Sequence, residues 1–201
     1  MNSIRLNNFE LLTIIYRNRG YFNATINKIR TDFEFTKDVC IYSYYSIVQL
    51  EKFLNVHIPK WVTGISDGRN IHLIIPKDLQ ILKGMDYVKI ILHEFTHVAL
   101  SHYSSVVVPF WLNEGIAMYY AQQVEDDFVQ DIDSKKLDEL TYGESYSLFL
   151  KLINIYSLDR LVARIRNVKN FSLDSIFGED NMKKIMAQCI QEIERGKYEK
   201  I

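Results

Sequence analysis

His93-Glu94-Phe95-Thr96-His97 is the segment of this chain whose residue types and spacing most directly imply chemistry. On a helix, residues four apart lie one turn apart on the same face, so both imidazoles can reach one ion. Glu94 is rotated by about 100° from His93. It can stand beside such an ion without ligating it and take a proton from a water that the ion activates. This His-Glu-x-x-His pattern is that of a zinc centre with a glutamate as general base. Chance would produce it in roughly one chain in a hundred of this composition, so two helix histidines beside a surface glutamate is the weaker reading.

A catalytic zinc takes three protein ligands and leaves its fourth position open. Glu114 follows His97 by 17 residues, within Trp111-Leu112-Asn113-Glu114-Gly115-Ile116-Ala117. It belongs to a second helix, expected to return antiparallel to the first after a short connection. Gly115 and Ala117 are small, as a close helix approach around an ion would require. Alone, Glu114 would read as a glutamate favoured by the helix dipole; beside the histidine pair it reads as the third ligand.

These residues need elements to hold them. Phe9 to Tyr16 fits a helix or a strand, whereas 21–35 places Ile26, Ile29 and Phe33 at helical spacing. Val39 to Tyr45 is short, β-branched and aromatic, which predicts a buried strand, and Ile47 to Leu54 a short helix. Trp61 to Ile65 and Ile71 to Ile75 read as two strands joined by the turn chemistry of Ser66-Asp67-Gly68-Arg69-Asn70. Asp86 is placed to cap a helix running to about Tyr103, and Pro109 suits the first turn of the next, from Phe110 to about Gln123. The acidic stretch Glu125 to Glu139 predicts a loop or a short solvated helix. Helical periodicity returns over Glu144 to Tyr156, Leu158 to Val168 and Asn181 to Arg195. The fold class expected is therefore α+β. A small mixed sheet and the motif helix occupy the N-terminal half, and the C-terminal half is mainly α-helical.

His-Glu-Phe-Thr-His followed by Pro109-Phe110-Trp111-Leu112-Asn113-Glu114-Gly115 resembles the gluzincin metallopeptidases, specifically the peptidase MA-like family with its HExxH and WLxEG pattern. The likeness extends over about residues 39–160. It implies a zincin-like fold, Zn2+ held by His93, His97 and Glu114, and Glu94 as catalytic base. Thermolysin-like gluzincins place an aspartate four residues after the ligand glutamate, where it orients a zinc histidine; this chain has Met118 there. Tyr142-Gly143-Glu144-Ser145-Tyr146 resembles the segment from which related aminopeptidases donate a tyrosine hydroxyl to the tetrahedral intermediate. Tyr142 is the first candidate for that donor and Tyr146 the second. Packing is the ordinary role for most of the 13 tyrosines. His102, near a helix end, and His72, on a strand, are weaker candidates. The hairpin strand Asn70 to Ile74 is an expected edge to which an extended peptide could pair, although an ordinary buried hairpin fits the sequence as well.

The whole chain sets the frame. Its 201 residues suit one domain, an α/β lobe over about 1–104 and a helical lobe over 105–201. Lysine plus arginine (24) nearly balances aspartate plus glutamate (25), which argues against nucleic acid or an anionic membrane as partner. The expected partner is a peptide or protein substrate. Cys40 and Cys189 stand far apart and outside any metal-binding spacing, as in a chain from a reducing compartment. No charged n-region precedes a long apolar run, so the chain reads as cytoplasmic; one trimmed from an exported precursor would read the same. Hydrolysis of a peptide bond is the leading expectation. Endopeptidase action is favoured because no Gly-x-Met-Glu-Asn segment is present to grip an amino terminus. The alternatives are a zinc-retaining binding module with little turnover and a dedicated protease acting on one regulatory partner.

Overall fold

The computed structural model describes residues 3–75, 84–123 and 137–167, and the chain divides into two compact units, 1–102 and 103–201. Among the described residues it is a mixed α+β protein with seven α-helices and one four-stranded sheet.

The first unit opens with β1 (Ile4–Leu6) and α1 (Phe9–Arg17). The choice between helix and strand over Phe9–Tyr16 is settled locally, because the Asn8 side chain accepts from the backbone N–H groups of Glu10 and Leu11 at 2.9 and 3.1 Å. Next comes α2 (Arg19–Asp32), which buries Phe22, Ile26 and Ile29. Strand β2 (Val39–Tyr44) leads to α3 (Ile47–Leu54), which the Ser46 hydroxyl caps and Asn55 closes in the left-handed region at φ 55°.

The hairpin is β3 (Gly64–Ser66) and β4 (Asn70–Ile74), turned through Gly68 at φ 83°. It differs from expectation in two ways. Trp61 lies outside the strand and is 67% exposed, so β3 is three residues long. And β4 is not an edge: the order is β1-β2-β4-β3, with β4 parallel to β2 on one side and antiparallel to β3 on the other. The hairpin's edge is β3, because β4 finds its second partner in a strand about 30 residues earlier, Ile41 opposite Ile71. Val39, Ile41, Ile71 and Leu73 are buried on one face of the sheet.

Helix α4 (Gly84–Tyr103) completes the unit. It begins two residues before the cap expected at Asp86, which instead lies in the first turn, where its charge complements the helix dipole. Its apolar stripe, Val88, Ile91, Leu92, Phe95, Val98 and Ala99, is fully buried.

The second unit contains α5 (Phe110–Ala121), α6 (Tyr142–Tyr156) and α7 (Leu158–Asn167). Pro109 is the residue before α5, not within its first turn. Helix α5 is buried on nearly all sides, as a central helix should be. Gly115 allows α6 to press against it: a Cβ there would lie 2.6 Å from the Ser145 carbonyl oxygen and 2.8 Å from the Phe149 Cβ. The two helices run in the same direction, since Phe110 meets Tyr142 and Tyr119 meets Phe149. Helix α6 starts at Tyr142, earlier than the predicted Glu144, because Thr141 and Glu144 form a reciprocal capping box. Ser157, at φ 62°, separates α6 from α7. Of the acidic stretch, Leu137–Glu139 is a single 3-10 turn, while 125–136 and the helix expected at Asn181 to Arg195 lie outside the described residues. No helix among the described residues is long and apolar enough to cross a membrane.

Candidate metal centre

The apolar stripe of α4 fixes which way its polar residues point. With Leu92, Phe95, Val98 and Ala99 buried, His93 and His97 fall together on another face, one turn apart. Their Nε2 atoms are 3.0 Å apart and the rings meet edge to face at 4.6 Å. His93 and Glu94 are buried, at 9% and 8% exposure. Thr96, between His93 and His97 in sequence, satisfies its hydroxyl within the helix by donating to the Leu92 carbonyl at 2.8 Å.

A neutral imidazole has one N–H and one lone pair. Two facing Nε2 atoms therefore either share a proton or aim both lone pairs at one cation. Two nitrogens bound tetrahedrally to zinc at 2.0–2.1 Å stand about 3.3 Å apart, close to the spacing seen here. Glu114, in the second turn of α5, is buried at 7% exposure. The ligand atoms offered by His93, His97 and Glu114 all lie within 4.8 Å of one another. Two nitrogens and one carboxylate oxygen form the donor set of a catalytic zinc ion with an open position. His93, His97 and Glu114 could therefore hold a metal ion.

Glu94 is not one of these three. Its carboxylate lies against β3, where a Cβ built on Gly64 would come within 3.2 Å of Oε1. Tyr142 is the first residue of α6, half-buried, its ring edge-on to Phe110 at 5.8 Å. Tyr146 follows one turn later; burial, and then the neighbouring Tyr119, push its phenol above the usual value. Met118, one turn after Glu114, is 2% exposed and offers no polar atom able to orient a histidine.

His72 and His102 belong elsewhere. Gly64 lies opposite Leu73 and faces α4, so His72, the next residue along, leaves the other face of the sheet. There it lies among Tyr42, Tyr44 and Phe53. Its Nε2 meets Asp67 Oδ2 and its Nδ1 meets the Tyr44 hydroxyl, each at 3.1 Å. His102 is nine residues from His93, on the opposite side of α4, with its ring 5.5 Å from Phe35. Burial lowers its pKa, as do Lys37 and Arg69, and a hydrogen bond to the Gly68 backbone opposes them. Sequence reasoning missed Gly64 and the Asp67–His72–Tyr44 chain. A glycine inside a strand was the available signal for the first; the second had none, because strand pairing creates it. Neither a family model, nor a curated protein, nor a solved structure matches this chain.

Proposed function

We propose that this chain is a zinc metallopeptidase of the gluzincin type, with a zincin-like fold, hydrolysing peptide bonds in an extended substrate. The observation that supports it best is the convergence of His93, His97 and Glu114 within 4.8 Å while Glu94, on the same helix as the histidines, remains outside the ligand set. His93, His97 and Glu114 would hold the ion. When bound, zinc acts as a Lewis acid that makes water nucleophilic near neutral pH and polarises a carbonyl. Glu94 takes the proton of the attacking water and passes it to the departing amine. Tyr142, or Tyr146 one turn on, donates to the oxygen that gains charge. Strand β3, last in the order of the described strands, offers backbone groups to which an extended peptide can pair, which favours endopeptidase action. Met118 favours a second reading, a zinc-holding binding module with little turnover, since it leaves the ligands without a polar orienter from that position.

Elemental analysis of the purified protein beside Glu114→Ala is the first test. About one zinc per chain, largely lost in the variant, is the expected result. No zinc in the wild type after gentle preparation would sink both readings, and zinc without cleavage of any member of a broad peptide library would leave the binding module.

A further inference from the structure

We infer that Gly64 is a positioning residue for Glu94: the backbone of edge strand β3 is the wall against which the carboxylate is seated, and it serves as that wall only because residue 64 has no side chain. The inference builds on the reading of Glu94 as the base, but the contact itself is independent of it. Glycine weakens a strand and is among the least favoured residues there, so its presence in a three-residue strand needs a cause. Backbone freedom is not the cause, since among the described glycines it is Gly68 that has a positive φ. Space is. A Cβ on Gly64 would lie 2.7 Å from Ile90 Cγ2, 3.1 Å from Glu94 Cγ and 3.2 Å from Glu94 Oε1. Two of the three nearest atoms belong to the proposed base, and Ile90 is the residue one helical turn before it. Glu94 is also buried. A methyl group at position 64 must therefore push Ile90 Cγ2 aside and also press Glu94 to give by a few tenths of an ångström. The histidine Nε2 atoms are not among the three nearest to it.

The test combines Gly64→Ala, Ile90→Ala and Glu94→Ala. With a quenched-fluorescent peptide mixture as probe, Gly64→Ala should lower kcat by about tenfold, because contacts of 3.1 and 3.2 Å oblige Glu94 to give by only a few tenths of an ångström, less than the displacement of about 1 Å that costs on the order of a hundredfold. KM should stay within about threefold and zinc content should equal that of the wild type. Adding Ile90→Ala to Gly64→Ala removes the clash with the helix face but not the clash with Glu94, so stability should recover while kcat stays low. Full kcat in Gly64→Ala, or its recovery on adding Ile90→Ala, would overturn the inference. A second readout needs no activity. In urea unfolding, Gly64→Ala should lower the midpoint more when Glu94 is present than in the Glu94→Ala background; equal shifts would overturn it. A wild type that cleaves nothing refutes the peptidase reading alone, and the urea cycle then decides whether Gly64 seats Glu94.

Discussion

His72 and His93 are both buried imidazoles in the same unit, on opposite sides of one sheet, and their partners differ in kind. A carboxylate only accepts, so the His72 Nε2 N–H donates to Asp67, while Nδ1 shares a hydrogen bond with the Tyr44 hydroxyl. Both ring nitrogens are matched by oxygen partners, and the ring ties the hairpin turn to β2. The Nε2 of His93 faces instead another imidazole nitrogen, and a carboxylate oxygen lies within 4.8 Å. An arrangement that gathers lone pairs toward one point gains most from a cation. Burial alone therefore does not separate structural from chemical histidines. The nature of the atom opposite each ring nitrogen does.

The sharpest way to break this contrast lies on the α4 side. Glu94→Gln removes the proton acceptor while keeping size and leaving the three ligands in place. Turnover of a cleavable peptide should fall by about 10²–10⁴-fold, with zinc still near one per chain by elemental analysis. A variant that turns over normally would remove the base from the reading. On the other face the expected effect is on stability and not on chemistry. His72→Ala empties a fully buried position and deprives Tyr44 and Asp67 of a partner, which should cost about 2–4 kcal/mol in urea unfolding. Zinc content and kcat should match the wild type at temperatures where the variant is folded. A loss of kcat without a loss of stability would mean that the two histidine environments are not separate.

How far the sequence discloses this arrangement depends on how local each feature is. Strand β2 and helix α3 are legible because β-branched residues and the Ser46 cap act within a few positions. The His93–His97 pair is legible for the same reason, since helical repeat alone brings i and i+4 together. Helix α1 is ambiguous because its apolar residues satisfy either period, and one side chain, Asn8, decides it. The central place of β4 cannot be read, because it depends on pairing Ile71 with Ile41. Short-range patterning is likewise silent about which helix Gly115 makes room for: the expectation was the motif helix, and the atoms a Cβ there would meet belong to α6. The contact of Gly64 with Glu94 joins positions 30 residues apart through an absent side chain; a glycine in a strand signals a close approach but not which residue approaches.

The smallest expected effect sharpens the account of the hairpin side and turns on the sign of a proton linkage. Burial raises the Asp67 pKa, but hydrogen bonds from the Asn70 side chain, the Arg69 and Asn70 backbone and His72 outweigh it and hold the carboxyl well below its usual range. A folded-state pKa below the unfolded one means that the unfolded chain binds more protons as pH falls. The stabilisation from Asp67 is thus fully present above its unfolded value of about 3.9. It is lost as pH falls from there through the lower folded value. Asp67 is 35% exposed on its side chain, so solvent screening limits the gain to about 1 kcal/mol. Asp67→Asn should therefore be less stable than the wild type by that amount in urea unfolding at pH 7 and pH 5. The gap should begin to close only below about pH 4. A gap that closes between pH 7 and pH 5 would assign the effect to a group titrating in that range and not to this carboxylate.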